Sequence, residues 1–195
     1  MRFAPVAVAI LALFCSGAAL AQGWFMFEDK AEFFTVNFPH EPKVEDIMLE
    51  SEYGMELTGR VYTAENRGST YKITVLNYEG AQVTDVRGSV AWMATKFRQG
   101  PGKITYDAYA QIDRIEGHQL QILNADESRT FIGMHLHARR LYILEATVPR
   151  GTPPPAQFQV SLGIFGTDGN RVRYDIDADG QRTPATEGGA LGEAP

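Results

Sequence analysis

Apolar and polar positions alternate most regularly between Arg139 and Pro149. Tyr142, Leu144, Ala146 and Val148 recur at every second residue, the spacing of side chains on one face of a strand. β-Branched and aromatic residues are dense there. The pattern predicts a central strand about which a sheet is organised. Two further alternating runs, Met55–Tyr62 and Tyr71–Tyr78, flank Asn66-Arg67-Gly68-Ser69, a hairpin signal. With a looser run from Lys43 to Glu52, they predict an antiparallel meander over residues 43–78 with one wetter face. Earlier still, Trp24–Phe27 and Phe34–Phe38 read as two short strands, the second stopped by Pro39, which has no N–H to give a ladder.

The period then changes. Val86, Val90, Met93, Ala94 and Phe97 lie at i, i+4, i+7, i+8 and i+11, one stripe of a helix. Thr84 or Asp85 can cap its start, and Gly100-Pro101-Gly102 ends it. Residues 104–115 return to strand character, and Glu116-Gly117 reads as a turn. Two strands, His118–Ala125 and Arg129–His137, then form a hairpin around Asp126-Glu127-Ser128. Centring that loop sets Asn124 opposite Thr130, Ile122 opposite Ile132 and Leu120 opposite Met134, which gathers one apolar face. A second helix is expected after Val148. Thr152 is its cap, Pro153 its first position, and Phe158, Leu162 and Phe165 its stripe. Arg171–Ile176 adds a last short strand. From residue 178 to 195 the chain has almost no large apolar side chain and reads as a disordered tail.

The first 21 residues change the picture of where this domain works. Arg2, the apolar run from Ala4 to Leu13 and the small-x-small Ala19-Leu20-Ala21 have the layout of an export signal cleaved before Gln22. The expected location is therefore periplasmic or secreted, with no membrane anchor after cleavage. Phe14 precedes Cys15 where a lipoprotein signal needs a small residue. Cys15 is the sole cysteine, so the mature chain has neither disulfides nor thiolate ligands at its disposal. A formal charge of −6 argues against nonspecific nucleic-acid binding, which needs a basic footprint. Residues 22–177 are expected to form a single α+β domain.

Several stretches are jointly familiar. They are Phe-Thr-Val-Asn-Phe-Pro-His-Glu-Pro (34–42), Gly117-His118, the run Arg139–Pro149, and Phe-Gln-Val-Ser-Leu-Gly-Ile-Phe (158–165). Together they resemble small exported bacterial proteins of the PsbP-like class, over roughly residues 24–175. The fold of that class is shared with the extrinsic oxygen-evolving-complex protein and a Ran-binding nuclear transport factor. The resemblance implies an α-β-α sandwich with a central, mainly antiparallel sheet. It also implies an accessory or binding protein rather than an enzyme, and it carries over no functional residue.

Candidate chemistry is sparse. His135 and His137, two apart on a strand, present both imidazoles to one face, as a zinc or manganese site would need. His118 is the nearest third ligand, but the register puts it opposite Leu136 on the other face. Asp175, Asp177 and Asp179, followed by Gly180, match the first half of a calcium loop. The second half departs from it, with Arg182 at the eighth position and Thr186 at the twelfth. Arg139-Arg140 could hold an anion. There is no G-x-S-x-G and no S-x-x-K, and no cofactor is implied. The expectation is a non-catalytic accessory protein with a partner in the envelope. A metal-responsive protein and a hydrolase with an unrecognised site are the alternatives.

Overall fold

The computed structural model describes residues 23–80 and 86–185. The export segment with its cleavage point, the capping pair Thr84 and Asp85, and the last ten residues of the expected tail lie outside them. In chain order the strands are β1 (Phe25–Asp29), β2 (Phe34–Phe38), β3 (Lys43–Glu50), β4 (Glu56–Asn66), β5 (Ser69–Asn77), β6 (Lys103–Ile112), β7 (Ile115–Leu123), β8 (Arg129–His137), β9 (Arg140–Val148), β10 (Gly163–Ile164), β11 (Tyr174–Ile176) and β12 (Arg182–Pro184). The helices are α1 (Val86–Gln99) and the single turn α2 (Ala156–Gln159).

The alternating run from Arg139 becomes β9, the middle strand of a seven-stranded antiparallel sheet in the order β3-β4-β5-β9-β8-β7-β6. Its two faces are both buried. Tyr142, Leu144 and Ala146 enter one apolar cluster, and Leu141 and Ile143 enter the other. The hairpin at Asn66–Ser69 forms as its sequence indicates, with Arg67 and Gly68 both at positive φ (50° and 76°), the conformation of a tight type I′ turn.

One face of the sheet carries α1. Val90, Met93 and Ala94 are buried against Leu120, Ile132, Met134, Leu141 and Ile143, so the helical stripe is core. A buried polar contact fixes the helix. The Ser89 hydroxyl donates to Glu52, and Tyr78 donates to the other oxygen of the same carboxylate at 3.2 Å. Burial, and then Glu52, push the Tyr78 phenol above its ordinary pKa.

The other face carries a second, three-stranded sheet, β1-β2-β10, in place of an outer helical layer. Phe34, Val36, Phe38, Phe158, Leu162 and Ile164 pack there against Tyr62, Tyr71, Ile73 and Tyr142. The expected second helix is thus cut to one turn. Phe158 and Leu162 are buried as a helical stripe would have them, but Gly163 and Ile164 pair with Thr35 and Phe34. Ser161 ends the turn, because its hydroxyl donates to the Phe158 carbonyl and accepts the Asn37 N–H, both at 2.9 Å. The expectation of a mainly antiparallel sheet stands, whereas the α-β-α layering becomes helix, sheet and sheet.

Two turns also differ from expectation. The β6–β7 turn is Asp113-Arg114, both residues at positive φ (48° and 63°), and Glu116-Gly117 lies within β7. Residues 182–184, expected in the tail, are instead a strand, since Tyr174–Ile176 pairs with Arg182–Pro184. Among the described residues no helix is long and apolar enough to cross a membrane.

Candidate functional site

A groove of about 400 Å³ opens between α1 and the β6–β7 hairpin, lined by Arg87, Val90, Ala91, Tyr109, Glu116, Gly117 and His118. That volume is within the range of small-ligand sites. The pairing of Tyr109 with His118 and of Gln111 with Glu116 puts these side chains on the face that carries α1. Val90, a member of the core stripe, and its exposed neighbour Ala91 reach the groove from the helix. Tyr109 is 56% exposed, and its hydroxyl accepts a hydrogen bond from Gln111 Nε2 at 2.8 Å.

Two charged clusters hold the rim. Arg87 meets Glu116 in a two-point contact, Nε to Oε2 at 2.9 Å and Nη2 to Oε1 at 3.0 Å. Arg98 does the same with Asp107, at 2.7 and 2.9 Å. Hydrogen bonding from Arg98, and secondarily from His118, holds the Asp107 carboxyl well below the usual carboxylate range. Asp107 is therefore an acceptor only, so His118 Nε2, 2.6 Å from Oδ1, carries its hydrogen and donates it. The approach of Arg98 Nη2 to the same nitrogen at 3.1 Å then sets two donors side by side on one shared carboxylate. Such half-exposed pairs contribute little to stability; their effect is to fix rotamers around the groove.

The histidines of the expected metal pair are on one face, as their spacing requires, but they are engaged separately. His135 stacks over Gly117, its strand partner, and is 4% exposed. Its Nδ1 has no hydrogen-bond partner, and burial pushes its pKa down to about 4. His137 lies edge-on to Tyr174, with ring centroids 6.1 Å apart, and burial lowers its pKa too. His118 is on the opposite face, as expected, but opposite Met134 rather than Leu136. The β7–β8 register is two residues from the centred one: Leu120 faces Ile132 and Ile122 faces Thr130. A slip of two keeps every side chain on its face.

Asp177 shapes the β11–β12 turn. Its Oδ1 accepts the N–H groups of Asp179 at 3.0 Å and Gln181 at 2.7 Å. Asp175 sits in the strand opposite Thr183. The three carboxylates are thus laid along a hairpin rather than curled about a point. Among the described residues no group of three or more His, Asp or Glu side chains is gathered to hold a metal ion. Arg140, of the pair that could hold an anion, is engaged within the chain. It joins Glu32 at 3.2 Å and Glu79 at 3.4 Å and lies over the Phe33 ring, tying the β1–β2 turn to the large sheet.

Gly117 sits where β7 has no room for a side chain against β8. A Cβ there would lie 2.2 Å from the Met134 carbonyl oxygen and 2.3 Å from His135 Nδ1. Gly117→Ala is expected to lower unfolding stability by about 1–3 kcal/mol, the usual cost of overpacking, read as a lower melting temperature. An unchanged melting temperature would mean that the β7–β8 pair relaxes freely at that point.

The groove escaped the sequence reading, apart from His118 and Gly117, because its residues come from three elements and form no motif. The one available signal was Tyr109, an aromatic residue in a loosely alternating strand. No family model and no curated protein matches the chain. Among solved structures it is similar in fold to a cyanobacterial PsbP, CyanoP from Synechocystis sp. PCC 6803, determined in solution. The identity is 10%, the match covers 77% of this chain and 97% of that one, and the TM-score is 0.48.

Proposed function

We propose that the protein is a non-catalytic accessory protein of the cell envelope, exported by residues 1–21, that holds its partner in the groove between α1 and the β6–β7 hairpin. The observation that carries this reading is the preformed groove itself. It has an apolar wall at Val90 and Ala91, an exposed tyrosine opposite, and a rim already fixed by Arg87–Glu116 and Arg98–Asp107–His118. A site ordered before binding loses less entropy when it binds, and tyrosine and arginine are favoured at the energetic centres of interfaces. Ser89, one residue before the apolar wall, is fully buried and donates to Glu52. Its hydroxyl is committed to the core, which favours binding over nucleophilic attack at this site.

A benzophenone photocross-linker at position 109 tests the reading in cells. It is expected to give a discrete envelope adduct that the same group at position 160, where Val160 is 72% exposed on another face, does not give. Ala91→Trp, which fills the groove from an exposed helix position, should remove the adduct without changing the melting temperature. Identical labelling from positions 109 and 160 would exclude the groove as the contact site.

A further inference from the structure

We infer that the groove's partner is an extended peptide segment that adds as a strand to β6, with an apolar side chain between α1 and Tyr109 and a carboxylate towards Lys103. This rests on the groove being the binding site, and adds the chemistry of what occupies it.

The two ends of the seven-stranded sheet are built differently. β3 carries Lys43, Glu45, Asp46 and Glu50, and charge on an edge strand discourages further pairing. β6 carries only Lys103 and Asp107, and Asp107 is turned to Arg98 and His118. The one irregularity of β6 lies between Ile104 and Tyr106, near its start. From Asp107 to Ile112 it pairs residue for residue with β7 and has no charge beyond Asp107, no proline and no bulge. Among the described residues no strand pairs with its outer side. An extended segment supplies the main-chain donors and acceptors such an edge lacks, and side-chain pockets beside the edge then select its sequence.

The groove is that pocket. Tyr109 is on the α1 face of β6, so the residue of an added strand lying opposite it also points to that face and meets the tyrosine ring at the outer wall of the groove, with the exposed Ala91 beyond it. Its two neighbours point the other way, beside Ala108 and Ala110, whose short side chains leave space. Charge sets the flank. In a chain of net −6, β6 begins at Lys103, while the last turn of α1 carries Lys96 over the Trp92 ring and Arg98 on Asp107, the one acid of β6. An acidic residue at the end of the segment nearest Lys103 complements that lysine.

The probe is a display library of random decapeptides, selected on the full chain. Enriched peptides are expected to carry apolar residues at alternate positions and an acidic residue to one side. Binding should slow hydrogen exchange of β6 amides between Asp107 and Ile112. Methylating alternate backbone nitrogens of the best peptide should weaken it about tenfold or more, through the loss of two or three main-chain hydrogen bonds. Lys103→Glu should weaken it severalfold and remove part of its salt dependence. Enriched peptides that are lost in Ala91→Trp, yet bind equally when N-methylated and leave β6 exchange unchanged, would overturn strand addition while leaving the groove as the site. Equal enrichment on wild type and Ala91→Trp would overturn the peptide ligand, with the cross-link from position 109 deciding separately whether the groove is used at all. Concentration-dependent protection of β6 in the protein alone would replace the peptide with a second copy of the chain.

Discussion

Phe34→Ala is expected to lower the unfolding free energy by about 3–5 kcal/mol, the range for truncating a large buried aromatic side chain. Phe34 is fully buried in β2, at the junction of the two sheets. Its ring centroid lies 5.1 Å from that of Tyr62 and 6.1 Å from those of Phe27 and Tyr142. Two of these contacts are edge-to-face, which adds to simple burial. The space left by the ring would be slow to collapse, because the strand beneath it is pinned on both sides. Phe34 pairs with Asp29 of β1 and with Ile164 of β10, and Tyr62 is itself held by its hydrogen bond to Asp29 at 2.6 Å. Urea unfolding should show a lower midpoint at unchanged slope, with the native circular dichroism retained in water. Met26→Ala, at a β1 side chain that is 66% exposed, should stay within about 0.5 kcal/mol of wild type. A Phe34→Ala loss under about 1 kcal/mol would mean that the small sheet is not packed on the large one.

What could be read from the chain divides along the range of the interactions. β9, the β4–β5 hairpin and the α1 stripe were legible because each is decided by residues near in sequence: a period of two, a turn signal, a period of 3.6. The second helix was not, because spacings of four at Phe158 and Leu162 suit a helix equally well as a turn followed by a strand. The choice is made by Asn37 and Thr35 of β2, more than a hundred residues earlier. Gly117 shows the same limit. A glycine after Glu116 looks like a turn, yet here it serves close approach to His135, the other meaning of a glycine in a strand. Asp113 and Arg114 take the turn in the left-handed region without glycine, and nothing in their residue types announces it.

The candidate site depended on still longer range. Pairing Tyr109 with His118 requires the true β6–β7 turn, and facing both with Arg87 requires α1 to be laid across the hairpin. The histidine spacing gave the shared face of His135 and His137, and the hairpin register gave the opposite one for His118. Burial and neighbours, which spacing does not encode, decided that the pair would be a core ring over a glycine and a half-buried ring beside Tyr174.

Acid should destabilise the wild-type protein more than a His135→Phe variant, by about 3 kcal/mol at pH 4 and below. The cause is the sealed position of the imidazole. It is 4% exposed, its Nδ1 finds no partner, and burial pushes its pKa from 6.5 down to about 4, against a smaller opposing effect of the Ile115 and Glu116 backbone. The folded state thus holds the neutral ring, while the unfolded chain takes up a proton from about pH 6.5 downwards. Below that pH the unfolded state binds more protons than the folded one, so stability falls as pH falls. The loss attributable to His135 should reach about 2 kcal/mol at pH 5 and level off once the folded ring also protonates near pH 4. Phenylalanine has a similar shape, no ionisable group and no unpartnered nitrogen, so near pH 7.5 the variant should match or slightly exceed wild type. The groups common to both proteins, His40 and His137 among them, cancel in the difference. Urea midpoints for the two proteins, measured from pH 7.5 to 4, give that difference directly. Parallel curves would show that the ring reaches water or a partner in solution, and with it that the β7–β8 pair opens at Gly117.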